Sequence, residues 1–132
     1  MIHVNKQIII GYVGRDPMIK NLPNGNLVAR FSVATTTKWK DRKTGEWQER
    51  TEWHQVEAWK HLAARVERDI TKGSPVYVEG STETQEWDDQ KTGQKRSQKV
   101  VKAAQLTLLG ERPHPVHRTS QENAPDDDDI AF

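Results

Sequence analysis

Five tryptophans, against only two phenylalanines and two tyrosines, are the side chains of this chain best suited to binding chemistry. An indole ring stacks on flat aromatic ligands, and Lys or Arg nearby can neutralise an anionic part of the same ligand. Trp is ordinarily core material, so its use for binding depends on which way each ring points. Side chains alternate between two faces along a strand, and that alternation predicts the direction.

Alternation turns three of the rings away from the predicted core. In the predicted strand 51–59, Trp53 and Trp59 lie on the polar face, opposite Val56. In the predicted strand 75–87, Trp87 lies on the face opposite Val76. Large aromatic rings on polar faces require an explanation.

Single-stranded nucleic acid provides one explanation. Every base has a π-face, so stacking on Trp tolerates any sequence and contributes roughly 1–3 kcal/mol per base. Cations between the rings would neutralise phosphates and make binding sensitive to salt. A subunit interface, or loops that cover the rings, is the alternative, and the two explanations are compatible at different rings.

Two polar segments, 38–50 and 88–98, contain most of the candidate cations, and the first also contains Trp39 and Trp47. Alternation places Trp39 inward with Phe31, unless the strand is kinked by that point. By position in these segments, the predicted phosphate contacts are Lys38, Lys40, Arg42, Lys43, Arg50, Lys91, Lys95 and Arg96. The net charge is consistent with a polyanion partner, since residues 1–112 carry 19 Lys and Arg against 14 Asp and Glu, a balance of +5.

Several classes of function find no support in the sequence. There is no cysteine, which excludes disulfides, thiol chemistry and a Cys-based zinc site. The five His show no metal-site spacing, and no phosphate-binding Gly-rich loop or nucleophile elbow is present. We therefore predict a protein that is not an enzyme and has no metal or cofactor.

His54 shares the Val56 face and is expected in the core or at a subunit interface. No stretch approaches the ~18 apolar residues of a membrane span, so a cytoplasmic protein is expected.

The order of predicted elements favours a small barrel. Strands are predicted at 4–13, 28–37, 51–59, 75–87 and 99–109, with one amphipathic helix at 60–72 capped by Gly73. The Asn24-Gly25 pair predicts a tight hairpin with positive φ angles at both residues. Five strands with a helix after the third is the order of an all-β OB-fold, a five-stranded Greek-key barrel, although other five-stranded barrels share it. We expect the domain over 1–111.

The end of the sequence has a different character. Residues 112–125 are rich in Pro and polar residues and are predicted to be a flexible linker. The last seven residues combine repelling like charges with an apolar tip, which is typical of a peptide held by a partner protein. This predicted partner-protein tip, part of a disordered acidic C-terminal tail, consists of Asp126, Asp127, Asp128, Asp129, Ile130, Ala131 and Phe132.

The chain resembles the bacterial-type single-stranded DNA-binding proteins over nearly its whole length. The resemblance rests on Asn5-Lys6, Gly11, Gly14, Asp16-Pro17, Pro23-Asn24-Gly25, Ala34-Thr35 before Trp39, Thr51-Glu52-Trp53-His54, Lys72-Gly73-Ser74 before Val76–Gly80, and the acidic tip. It implies an OB-fold homotetramer that binds single-stranded DNA without sequence preference in replication, recombination and repair. It also implies DNA-processing partners at the tip and a nucleoid-associated, cytoplasmic location.

The resemblance assigns roles to individual residues as well. It places base stacking on Trp39, Trp53, Trp59 and Trp87, with Trp39 outward, and places His54 near a subunit contact. Two departures from the family pattern, Ala131 where Pro is usual and the short linker, suggest a plasmid or phage-type paralogue. The competing hypotheses are an OB-fold primosomal or adaptor protein with weak DNA binding, and an RNA-binding OB module.

Overall fold

A computed structural model describes residues 1–110, so the predicted linker and the predicted tip lie outside the described residues. Within that range the chain forms six strands and one helix. In chain order they are β1 (Gln7–Val13), β2 (Met18–Asn21), β3 (Leu27–Lys40), β4 (Trp47–Trp59), α1 (His61–Asp69), β5 (Pro75–Asp88) and β6 (Lys95–Leu108).

Five of these strands close into a barrel. The sheet order is β1-β5-β6-β4-β3-β2, and β1 also pairs with β3, which joins the two sides of the sheet. The short strand β2 pairs with β3 alone and lies outside the ring. All ladders are antiparallel except β4 with β6. The predicted OB-fold, a five-stranded barrel with one helix, is confirmed.

The barrel encloses one apolar cluster, which α1 covers at one side. The helix buries Leu62, Ala63 and Val66, the residues whose spacing predicted it. The alternation of β3, β4 and β5 supplies most of the rest. The buried cluster consists of Ile9, Val13, Ala29, Phe31, Val33, Val56, Ala58, Leu62, Ala63, Val66, Ile70, Val76, Val78, Val101 and Leu106.

Local predictions fail where turn chemistry or pairing decides the structure. The helix ends at Asp69, and Ile70 is extended, so Gly73 belongs to the following turn and is not the cap. In the 22–26 turn only Gly25 has a positive φ, 87°, so Asn24-Gly25 is not the predicted turn with two such residues. The first strand begins at Gln7, since residues 1–6 have no ladder partner.

The polar segments 38–50 and 88–98, which lie between the predicted strands, are each about half strand, so the strands run further into them than predicted. β3 and β4 pair without interruption from Val28–Trp59 to Lys40–Trp47, leaving a short turn at 41–46. β5 and β6 pair as far as Asp88–Lys95, with one register shift between Glu79 and Gly80, and leave a turn at 89–94. Gly45 and Gly93, both at φ 73°, provide the left-handed residue of each turn. Two ribbons therefore extend from the barrel and carry the cations on ordered backbone.

Candidate nucleic-acid interface

The outer face of β3 and β4 carries two of the predicted stacking residues. Trp53 lies opposite Ala34, and Trp59 lies opposite Val28. The two tryptophans are six residues apart on one strand, about 20 Å at a rise of 3.3 Å per residue. The Trp53 side chain is 56% exposed, and Trp59 is partly covered. Alternation therefore placed both rings on the correct face.

Gly14 makes room for the Trp53 ring. A Cβ at Gly14 would collide with Cζ3 of Trp53 and would lie 2.9 Å from Cη2. The indole consequently rests on the backbone where the chain leaves β1. A residue larger than glycine at position 14 would therefore displace the Trp53 ring from this position.

Two open grooves meet on this face. The Trp53 groove is lined by Gly14, Arg15, Asp16, Met18, Arg30, Phe31, Ser32, Trp53, Gln55 and Gln98. The Trp59 groove is lined by Arg30, Glu57, Trp59, Gln85, Glu86, Trp87 and Gln98. Arg30 and Gln98 line both grooves, so one continuous surface joins Trp53, Trp59 and Trp87.

A buried carboxylate organises the Trp59 groove. Glu57 is only 3% exposed although it lies on the polar side of β4. Its Oε1 accepts a hydrogen bond of 2.7 Å from Nε1 of Trp59. Its Oε2 accepts from Nε and Nη2 of Arg30, at 3.0 and 2.9 Å, and from Nε2 of Gln85, at 3.2 Å. Glu57 thus holds one stacking residue and one cation in a fixed relation.

These bonds also keep Glu57 ionised. Burial by itself raises the pKa of the Glu57 carboxyl, because the charged form loses water. Hydrogen bonds from Trp59 and Gln85, together with the charge and the hydrogen bond of Arg30, lower that pKa by more than burial raises it. The pKa therefore lies below its ordinary value of 4.5. At neutral pH the Glu57–Arg30 pair is fully formed and its net charge is zero.

Replacing Glu57 with Gln should lower the free energy of unfolding at neutral pH by about 1–2 kcal/mol, because hydrogen bonds to a charged group are the stronger ones. The pKa of the Glu57 carboxyl is lower in the folded than in the unfolded state, so this stabilisation is fully present at pH values above the unfolded-state pKa. It is lost as pH falls below 4.5 through the folded pKa. Urea unfolding of both proteins, at matched concentration, at neutral pH and again below pH 4.5 measures this. A difference between the two proteins that did not shrink at low pH would contradict the assignment.

Two further cations lie beside the tryptophans. Nζ of Lys102 lies 5.6 Å from the Trp59 ring centroid, a cation–π distance. Arg96 lies directly opposite Trp87 in the β5–β6 ladder, and its Nε donates to Oδ2 of Asp89 at 3.0 Å. The backbone N–H of Lys91, and then Arg96, lower the pKa of Asp89, so this acid stays ionised beside Arg96.

The remaining predicted phosphate contacts lie on the two ribbons. Lys38 and Lys40 end β3, Arg42 and Lys43 lie in the turn that follows, and Lys91 lies in the turn before Lys95. Arg50 is in β4, and its Nη2 lies 3.3 Å from Oε1 of Glu52. Arg50 and Arg96 would therefore exchange a carboxylate for a phosphate on binding, which reduces the gain each can contribute.

Trp39 is separated from the other three predicted stacking residues. The ladder places it opposite Gln48, on the ribbon face that continues from Phe31, since no bulge interrupts β3 and β4. It is nonetheless exposed, because the ribbon has left the barrel by that point. The sequence assigns no role to Trp47. Its side chain is 70% exposed on the same face of β4 as Trp53, and it lines a further groove with Lys38.

Sequence reasoning missed four residues of this interface: Arg30, Trp47, Glu57 and Lys102. Alternation places Arg30 on the face of β3 that points away from the Phe31 side chain. Which side chains surround Arg30, however, depends on the strand register.

His54 is partly buried, and its Nε2 lies 2.9 Å from Oγ1 of Thr35. Among residues 1–110, no group of three or more His, Cys, Asp or Glu could hold a metal ion. In the same range no helix is long and apolar enough to cross a membrane.

Comparison with known proteins agrees with this geometry. A single-stranded DNA-binding protein of Rickettsia prowazekii (strain Madrid E) is 44% identical over 124 residues, which is 91% of this chain and 78% of that protein. The solved Plasmodium falciparum SSB, in complex with ssDNA, superposes with a TM-score of 0.76 at 32% identity, covering 83% of this chain and 98% of the other. The model of the single-strand binding protein family matches residues 4–109, and this chain belongs to that family.

Proposed function

We propose that this chain binds single-stranded DNA without requiring a particular sequence and protects it during replication, recombination and repair. The observation that carries the proposal is the continuous surface on which Trp53, Trp59 and Trp87 lie, with Lys102 beside Trp59 and Arg96 opposite Trp87. Stacking supplies affinity that any base can use, and cations neutralise the phosphates between the stacked bases. Trp39 and the ribbon cations extend this contact beyond the barrel.

Titrating the full chain with poly(dT) while following Trp fluorescence tests the proposal. Stacking on the exposed rings should quench the emission strongly, and the affinity should fall steadily as salt rises. Weak binding that leaves the emission unchanged would favour the alternative of a primosomal or adaptor protein. Tighter binding to poly(U) than to poly(dT) would favour an RNA-binding module.

We also propose that the protein assembles as a homotetramer. Ile8 and Ile10 on the outer face of β1 are 55% and 49% exposed, and Val4 beside them is more exposed still. Exposed apolar residues at this density mark an interaction surface. β1 also pairs with β3 only at Tyr12 and Val13, which leaves most of its second edge open to a strand from another copy. His54 is proposed to lie near a subunit contact.

Replacing Ile8 and Ile10 together with Glu should convert the assembly to smaller species, because four or more buried carboxylates would lack partners. Light scattering after size-exclusion chromatography measures the mass. The barrel should survive, since both side chains point away from the core. Replacing Lys20 with Glu is the charge-matched control on an exposed site of β2 and should leave the mass unchanged. An unaltered mass in the Ile variant would contradict this interface.

The remaining parts of the proposal rest on the sequence. The acidic segment 126–132 is proposed to recruit DNA-processing proteins, with Ile130 and Phe132 as the apolar contacts. A chain ending at residue 125 should then bind poly(dT) but fail to retain such partners in a pull-down, and retention would contradict the role. A non-enzymatic action in the cytoplasm, on nucleoid DNA, follows from the proposed binding.

A further inference from the structure

Arg30 occupies an unusual position for a cation that only neutralises phosphate. It lies at the junction of the Trp53 and Trp59 grooves, diagonal to Trp59 across the β3–β4 ladder. A flat base stacked on the Trp59 ring can turn its edge toward the neighbouring side chains on the sheet surface. The Arg30 guanidinium lines the same groove as that ring.

The guanidinium is also held in a fixed orientation. Its Nε and Nη2 both donate to Oε2 of Glu57, which occupies the side edge of the group. The adjacent end edge, with one N–H each on Nη1 and Nη2, is not used by Glu57. Gln85 Oε1 lies 3.5 Å from Nη2, a long contact that a better acceptor can replace. The Arg30 side chain remains 62% exposed, so a ligand can reach it.

Its charge is already balanced, which argues further against a phosphate role. Glu57 is buried and ionised, so an approaching phosphate meets a neutral pair and gains little long-range attraction. Paired N–H donors in one plane still match the O6 and N7 acceptors of guanine, the commonest specific contact of Arg with DNA. Adenine, by contrast, presents an amino group beside N7, and that donor would face an Arg donor.

We propose that Arg30, oriented by Glu57, reads guanine, so that the interface prefers a guanine for the base stacked on Trp59. This inference rests on the proposed function and deepens it. Stacking still accepts every base, and Arg30 adds a bias at one position. Binding is therefore tolerant of sequence and not indifferent to it.

Three strands of equal length test the inference: oligo(dT), the same strand with regularly spaced dG, and that strand with 7-deaza-dG in place of dG. The deaza base lacks N7 and keeps the stacking surface and O6. The native chain should bind the dG strand at least about fivefold more tightly than the 7-deaza-dG strand. Equal affinities for these two strands would overturn the inference while leaving the proposed function intact. Failure to bind any of the three strands would overturn both.

Two variants locate the effect. Arg30→Lys keeps the charge but cannot place two parallel N–H groups, so the ratio of dG to 7-deaza-dG affinity should fall to about 1. The ratio is taken within one variant, so a general loss of affinity cancels. Arg65→Lys is the matched control, since Arg65 is exposed on α1 and lines neither groove, and it should keep the native ratio. If Arg30→Lys weakened binding to all three strands equally, Arg30 would be a phosphate contact and the inference would be wrong.

Discussion

Replacing Trp53 with Ala should weaken binding to oligo(dT) by about 5- to 150-fold, the equivalent of roughly 1–3 kcal/mol for one lost stacking partner. The ring is more than half exposed and lines the groove, while its Cζ3 and Cη2 atoms lie against Gly14. Phe31 is the only other aromatic residue that lines this groove within the part of the chain that the structure describes, and it is buried. The loss therefore cannot be made good by a neighbouring ring.

Trp53→Phe is the matched control, because it retains a stacking surface on the same backbone. We expect it to bind within a fewfold of the native chain, and both variants should unfold at nearly the native urea concentration, since the side chain is not part of the buried cluster. Fluorescence anisotropy of a labelled oligonucleotide measures the affinity. An Ala variant that remained within twofold of native affinity would show that bases do not stack at Trp53.

The sequence predicted the faces of the interface well because alternation depends only on the local chain. Trp53, Trp59 and Trp87 are exposed or partly exposed on the outer face, as the two-residue period required. Trp39 shows the limit of the same rule. Trp39 lies on the same face of β3 as Phe31, but the core ends before residue 39. A side chain on that face is therefore exposed to solvent at Trp39. Where a strand leaves the barrel is a property of tertiary structure.

The Arg30–Glu57–Gln85 network could not be predicted from the sequence for a related reason. Its members come from β3, β4 and β5, and β6 separates β4 from β5 in the sheet order. Charged residues at these separations have many possible partners until the register is known. Glu57 in particular reads as an exposed residue of a polar face, whereas three neighbours cover it. Burial of that carboxylate is visible only in the folded chain.

The strands run further into the two polar segments than their composition predicted. The polar residues at 38–50 and 88–98 carry no apolar periodicity, so nothing local distinguishes a solvated ribbon from a loop. Continued pairing of β3 with β4, and of β5 with β6 beyond Gly80, extends these strands into solvent. The consequence for the interface is that its cations have ordered spacing along each ribbon.

Replacing Gly11 with Ala should destabilise the barrel by about 3 kcal/mol or more, the upper end of the range for overpacking. A Cβ there would collide with the carbonyl oxygen of Ala34 and would lie 2.9 Å from Cγ1 of Val33. The obstructing atom is backbone, so no rotamer change relieves the contact. The seam between β1 and β3 consists of only two residue pairs, Tyr12–Ala34 and Val13–Val33, and it cannot absorb a shift easily.

Gly45→Ala provides the comparison, since no atom lies within 4 Å of its Cβ position and only its φ of 73° is unfavourable. That change should cost about 1–2 kcal/mol. Urea unfolding followed by circular dichroism gives both values, and equal losses would show that the seam tolerates a methyl group. The seam also bears on binding, because Ala34 lies directly opposite Trp53. A shift of Ala34 moves the strand that supports the stacking ring, so Gly11→Ala should weaken oligo(dT) binding even where the chain remains folded.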